Sequence, residues 1–257
     1  MITYPDNVTC LADYIESVMQ RFADRPAYTA LGQTLTFAEI DSKSSALARY
    51  FVHEAKLTPG TRVAIQLPNL IQNPIVVYAA LRAGLVVVNT NPLYTEREMK
   101  HQFTDSGAKA LVILGDLLPK FTSIKNDTSI NTVIATSATE LLDPNTAPAL
   151  DGTVSLSQAV EIGKGLPQFE RPKIQLDDLA MLQYTGGTTG VSKGAALSNK
   201  NVLANCIQML DRIGDGFKDG EEVLVCPLPL YHIYAFTVGM TALFAKGTQI
   251  ILIPNPR

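Results

Sequence analysis

Between Tyr184 and Ala195 the chain reads YTGGTTGVSKGA, and the residue types crowded there suit the holding of an oxygen-rich anion. Gly186, Gly187 and Gly190 carry no Cβ, so their backbone N–H groups can come close to a ligand. Thr185, Thr188 and Thr189 can each donate a hydroxyl proton, and Lys193 adds a full positive charge. Phosphate is the natural target. Each hydrogen bond to a charged group contributes about 1.5–3 kcal/mol, and several together would hold a triphosphate in one pose. Spacing sets two familiar nucleotide loops aside. A Walker A loop needs Gly-Lys-[Ser/Thr] contiguous, whereas Val191-Ser192 separates Gly190 from Lys193; a dinucleotide fingerprint needs G-x-G-x-x-G, which Gly186, Gly187 and Gly190 do not supply. The competing reading is a surface turn with a solvated lysine. A β-prone run before the loop and a capped helix after it favour the phosphate cradle.

Those flanking elements belong to a longer alternation. Leu11, Tyr14, Ile15, Val18, Met19 and Phe22 fall on one face of a first helix. AYTALGQTLTF reads as a hairpin around Gly32-Gln33, and Thr36 with Glu39 forms a capping box that opens a helix through Ile40, Leu47 and Phe51. RVAIQL is a buried strand; Asn69 to Ala83 is helical and stops at Gly84; LVVVNT is a strand. Thr95 and Glu98 make a second capping box, on a helix ending before Gly107, and AKALVIL and NTVIAT follow as strands. Residues 136–178 are rich in Pro, Gly, Ser and Asp and read as surface connection with one short helix, Ser155 to Glu161. Then LAMLQYT is the strand leading into the loop, Ser198 caps a helix toward Arg212, EEVLVCPLP is a strand, Tyr231 to Ala245 an apolar helix and TQIILIP a strand. Alternating strands and helices predict an α/β fold with mostly parallel sheets covered on both faces.

Composition narrows the classes of function. A hydrophobic share of 46% against 18% charged residues supports a full core, and a formal net charge of −3 with no basic run or zinc pattern argues against nucleic acid as a partner. Cys10, Cys206 and Cys226 are far apart and odd in number, which predicts buried reduced thiols and a cytoplasmic setting. The first ten residues lack the pattern of a signal peptide, and the apolar stretch Ile75 to Val88 is interrupted by Arg82 and too short to span a membrane. Arg82, inside an apolar helix, is expected to be an ion-pair partner.

The loop also resembles a known family. YTGGTTGVSKGA is similar to the phosphate-loop signature of the AMP-forming acyl-CoA synthetases, a group within the adenylate-forming superfamily that includes luciferases and peptide-synthetase adenylation domains. PLPLYHIYAFT, Pro227 to Thr237, resembles the segment that follows that loop, and VVNTNPLYTEREMKHQFTDSGAKALVI is similar to bacterial long-chain fatty acyl-CoA ligases in particular. The resemblance implies two Rossmann-like subdomains, residues 1–175 and 176–257, the second cut short. It implies that a fatty acid carboxylate attacks the α-phosphate of Mg-ATP, and that CoA thiol then displaces AMP from the acyl-adenylate. Position by position, Thr185 to Gly190 and Lys193 match the ATP-phosphate loop, Thr185 being also the expected Mg²⁺ contact, and Tyr184 flanks the nucleotide. His232 matches the histidine near which carboxylate and α-phosphate meet. A lone histidine is more commonly a surface or core residue, so that role is implied by the resemblance alone. Tyr231, Tyr234 and Phe236 would form the acyl side, or else serve as core aromatics.

The family's Mg²⁺ acid, adenine segment, ribose aspartate, CoA site and catalytic lysine have no counterpart before Arg257. The expectation is an N-terminal portion, inactive alone and prone to self-association, of an enzyme whose partners are fatty acid, ATP and CoA. A homodimer and peripheral contact with the inner membrane are further expectations. Two alternatives stay open: a ligase for another carboxylic acid, and a non-catalytic nucleotide- or acyl-binding module.

Overall fold

A computed structural model describes residues 4, 8–148, 151–185 and 191–255. α1 (Leu11–Arg21) buries Leu11, Ile15, Val18 and Met19 along one face. β1 (Pro26–Ala30) and β2 (Gln33–Thr36) form the anticipated hairpin, but its turn is Leu31–Gly32, with φ of 50° and 81°, one residue earlier than the sequence suggests. Two successive positive φ values match the twist of the flanking strands. α2 (Phe37–His53) opens on the Thr36–Glu39 capping box, in which Thr36 N–H donates to Glu39 Oε2 at 2.8 Å. β3 (Arg62–Gln66), α3 (Gln72–Arg82), β4 (Val86–Asn89), α4 (Glu96–Ser106) and β5 (Ala110–Leu114) continue the alternation, with Gly84 and Gly107 left-handed just past α3 and α4. α3 starts at Gln72 rather than Asn69, whose side chain bonds instead to the distant backbone of Cys226, Leu228 and Leu230. In α3, Arg82 pairs with Glu16 and Asp41.

α5 (Leu118–Ile124) precedes β6 (Thr132–Thr136), and β7 (Val154–Ser155) leads into α6 (Leu156–Gly165). This region is less superficial than its composition implies. Leu156, Ala159, Val160 and Gly163 are buried, and a Cβ on Gly163 would stand 1.9 Å from Ala46 O, so α6 lies directly on the α2 backbone. After it come β8 (Leu179–Thr185), β9 (Lys193–Ser198), α7 (Asn199–Ile213) and β10 (Val223–Cys226). A helical rod follows, made of α8 (Ile233–Ala235), a π-helical segment Phe236–Ala242 and α9 (Leu243–Ala245), and then β11 (Gln249–Leu252).

Two sheets result. A seven-stranded sheet runs β7-β6-β5-β3-β4-β8-β9, parallel except for β9, and a four-stranded sheet runs β10-β11-β1-β2, parallel except for β2. Each sheet draws strands from both sides of residue 175. Within the larger sheet the strands are apolar on both faces. Val63, Ile65, Val87 and Val112 enter one core; Ala64, Val88, Leu111 and Ile113 enter another beneath α4 and α5. Strands of this kind are stable only with cover on both sides. The first core is continuous with the smaller sheet and centres on Tyr28, Phe37, Tyr78 and Phe244, whose rings pack 4.6–5.5 Å apart around Phe244.

Candidate active site

β8 ends at Thr185, and β9 leaves the loop at Lys193. The two strands are antiparallel, with Tyr184 opposite Gly194 and Thr185 opposite Lys193. The hairpin therefore brings Thr185 and Lys193 side by side at the mouth of the loop. Both are exposed, and Lys193 makes no ion pair among the described residues. Gly186, Gly187, Thr188, Thr189 and Gly190 lie outside the described residues. β9 is absent from the sequence reading, because KGAALS lacks the β-branched and aromatic residues that signal a strand.

Tyr184 is buried against the core beneath α4, and its hydroxyl donates to Asp105 Oδ2 at 2.5 Å. Burial and the neighbouring carboxylate both push that hydroxyl's pKa up. Its ring covers the backbone of Gly194, where a Cβ would come within 2.9 Å of the ring carbons. The glycine after the lysine is therefore required by the packing of Tyr184.

His232 sits at the N-cap of α8, exposed, with Nδ1 accepting the Tyr234 N–H at 3.3 Å. That bond leaves Nε2 to carry the ring proton in the neutral form. Two sets of buried amides place this turn. Asn69 Nδ2 donates to Leu228 O at 2.9 Å and to Cys226 O at 3.2 Å, while its Oδ1 accepts the Leu230 N–H at 2.9 Å. A relay reaches the turn from the other side. Gln102 Nε2 donates to Asn89 O at 2.9 Å, Asn89 Nδ2 to Gln183 Oε1 at 3.1 Å, and Gln183 Nε2 to Tyr231 O at 3.0 Å. Gln183 is two residues before Thr185, so one side chain ties the β8–β9 hairpin to the backbone beside His232. These amides were missed in the sequence, although they leave a signal. Gln66, Asn89 and Gln183 are all buried amides at or near the carboxyl ends of the adjacent parallel strands β3, β4 and β8.

The residues around His232 line two concavities. Tyr231 borders a crevice of about 500 Å³ with Asn69, Leu93, Asp116, Pro227 and Ile253, at the carboxyl ends of β3, β4, β5, β10 and β11. The chain passes from β3 to β4 on one side and then to β5 on the other, so this is a topological switch point, where open α/β sheets bind ligands. Ile233, Tyr234 and Val238 border a groove of about 580 Å³ against Asn205, Met209 and Arg212 of α7. Tyr234 is 60% exposed on that side, whereas Phe236 is fully buried in the core. The π-helical segment begins at Phe236, and its Met240 carbonyl accepts the hydroxyl of fully buried Tyr78 at 2.8 Å. Such segments recur at functional sites because they widen a helix and redirect its side chains.

Burial also pushes up the hydroxyl of Tyr231. Burial pushes up the thiols of Cys10, Cys226 and Cys206, the last to about 11, and all three are free. Among the described residues no group of three His, Cys, Asp or Glu could form a metal cage, and no helix is long and apolar enough to cross a membrane. Thr185 offers one hydroxyl oxygen at the loop mouth. A lone oxygen donor does not conflict with Mg²⁺, a hard cation that commonly keeps its waters and is held by substrate phosphates.

The chain resembles known proteins in both sequence and fold. A family model described as AMP-binding enzyme matches residues 15–257. A long-chain-fatty-acid–CoA ligase of Escherichia coli O6:H1 is 38% identical over 98% of the chain, which covers 48% of that protein. Its counterpart in Haemophilus influenzae is 39% identical over 96% of the chain and 47% of its own length. The chain thus spans about half the length of the curated relatives it matches. Among solved structures, a long-chain-fatty-acid-CoA ligase of Archaeoglobus fulgidus superposes with a TM-score of 0.83 at 24% identity, over the whole chain and 49% of that protein. ATP-bound MatB of Rhodopseudomonas palustris gives 0.78 at 25% identity, over 96% and 46%.

Proposed function

The chain belongs to the AMP-binding enzyme family, and we propose that it serves the ATP-dependent activation of a long-chain fatty acid. The observation that carries this reading is the convergence on one end of the large sheet of the hairpin bearing Thr185 and Lys193 and an exposed histidine, joined by Gln183. In the proposed reaction a carboxylate oxygen attacks the α-phosphorus of ATP. The bond from that phosphorus to the bridging oxygen breaks, and pyrophosphate leaves. The CoA sulfur then attacks the acyl carbon and expels AMP.

Each residue has a part that its placement supports. Lys193, beside Thr185, neutralises charge gathering on the departing phosphates, which stabilises a leaving group electrostatically. Thr188 and Thr189 with Gly186, Gly187 and Gly190 complete that cradle on the resemblance of the loop. Tyr184 flanks it from beneath. His232, whose Nδ1 accepts the Tyr234 N–H, has Nε2–H to offer the carboxylate and so to orient the attacking oxygen. Tyr234 lines the acyl side from the α7 groove and Tyr231 from the strand-end crevice, with Phe236 supporting them from the core. Mg²⁺, held by the phosphates and Thr185, would supply charge neutralisation when bound.

The test is ATP–pyrophosphate exchange by the protein expressed from its complete reading frame, with fatty acids of graded length. Exchange that rises with chain length and is lost in Lys193→Ala supports the reading. Exchange driven better by aromatic or short acids would assign the site to another carboxylate, and nucleotide binding without exchange would make the chain a binding module.

A further inference from the structure

The hairpin that carries the loop is fastened to α4 at two points, one on each strand side. On the incoming side, Tyr184 donates its hydroxyl to Asp105 Oδ2 at 2.5 Å. On the outgoing side, Ser192 O accepts from His101 Nε2 at 2.8 Å, so that ring nitrogen carries its proton in either charge state. His101 and Asp105 are four residues apart and therefore share one face of α4. Each fastened residue is the immediate neighbour of a member of the Thr185–Lys193 pair.

α4 is itself firmly placed. Its first turn is closed by the Thr95–Glu98 box, with Thr95 N–H donating to Glu98 Oε2 at 2.7 Å. Its middle is held by Gln102 on Asn89 O and by the buried side chains Met99 and Phe103. Its end is closed by left-handed Gly107. A rigid helix bonded to both legs of a hairpin fixes how far apart those legs sit. Gly194 adds to this, because only a residue without Cβ lets the Tyr184 ring lie across β9 and still reach Asp105.

We propose that His101 and Asp105 are positioning residues that hold the mouth of the hairpin at the separation required for a phosphate chain. They touch no ligand and act through Tyr184 and Ser192. The affinity part of this inference rests on the phosphate reading above; the structural part does not.

The experiment uses four variants of the chain: Asp105→Ala and His101→Phe, which remove the bonds, and Asp105→Asn and His101→Gln, which keep an acceptor and a donor in place. Hydrogen exchange at the amides of Ser192, Lys193 and Gly194 is read without ligand, and pyrophosphate with Mg²⁺ is titrated separately. Loss of one such bond is expected to speed exchange at those amides, and to weaken pyrophosphate binding, by about five- to tenfold. The conservative variants are expected to stay near wild type, which separates positioning from a general loss of fold. Unchanged exchange in both disruptive variants would overturn the proposal, as would equal acceleration in the conservative ones. Faster exchange in the disruptive pair with no pyrophosphate binding by any form, wild type included, would overturn the phosphate reading and the affinity part with it.

Discussion

The two ends of the large sheet make a contrast in how a concavity is built. At the amino ends of β3, β4 and β8 lies a cavity of about 670 Å³, larger than the crevice at the carboxyl ends, with Arg62, Lys109 and Lys173 at its margin. Those cations are exposed and make no ion pair among the described residues. The turns there close on their own backbone, Gly60 N–H on Gly84 O and Lys109 N–H on Arg62 O. At the carboxyl ends the concavity is smaller, but Asn69, Asn89, Gln102 and Gln183 are buried and bonded from one element to another. Size therefore does not mark the end that carries the candidate site. Buried amides that bond one connection to another do, because each bond they make holds the backbone in a single arrangement, even where an oxygen such as Gln66 Oε1 or Gln102 Oε1 finds no partner among the described residues.

This contrast can be broken most severely at Asn69. Replacing it with alanine leaves the buried Leu230 N–H without its acceptor and frees the 226–230 segment, at a cost of about 2–4 kcal/mol. Urea denaturation measures the loss, and the contrast fails if stability is unchanged. Gln183→Leu is next. It strips the bond from Tyr231 O and orphans the Asn89 amide, costing about 1–3 kcal/mol. Its effect on nucleotide binding should exceed its effect on stability, since it unties the hairpin from the His232 turn; calorimetric titration of Mg-ATP beside the denaturation curve reads both. Gly194→Ala sets a methyl group within 2.9 Å of the Tyr184 ring and should cost about 1–2 kcal/mol.

Acid gives a smaller effect with a defined sign. The Thr95 backbone N–H holds the Glu98 carboxyl below its ordinary value of 4.5, and Lys246, with Arg21, does the same for Asp219 below 3.8. Groups whose folded pKa is depressed contribute stability above their unfolded values, and that stability is lost as pH falls through the folded ones. Melting temperature should therefore drop below about pH 4.5, and Glu98→Gln should flatten the upper part of that decline. At the amino end, Arg62→Ala and Lys109→Ala should each change stability by no more than about 0.5 kcal/mol and leave nucleotide binding intact.

Much of this was legible in the sequence where local rules decide. The Thr36–Glu39 and Thr95–Glu98 boxes, the stops at Gly84 and Gly107 and the strand into the loop depend on neighbours within four residues, and the structure keeps each. Arg82 in an apolar helix declared its ion pairs. What escaped depends on distant partners. β9 is a strand because β8 lies beside it, not because Lys-Gly-Ala-Ala prefers to extend. α6 looked superficial because its closest approach to α2 is made at Gly163, a residue that carries no apolar signal. The expected helix from Tyr231 starts at Ile233 and widens at Phe236, where Tyr78, far away in sequence, satisfies the Met240 carbonyl. At the site, Thr185 and Lys193 are brought together, while Phe236 is placed in the core.

The most direct test is lysine footprinting with and without Mg-ATP, reading acetylation of each lysine by mass spectrometry. The account predicts that nucleotide protects Lys193 and leaves Lys109 and Lys173 as reactive as before. Protection of Lys109 and Lys173 with Lys193 unchanged would place the phosphates at the larger, amino-end cavity and contradict it.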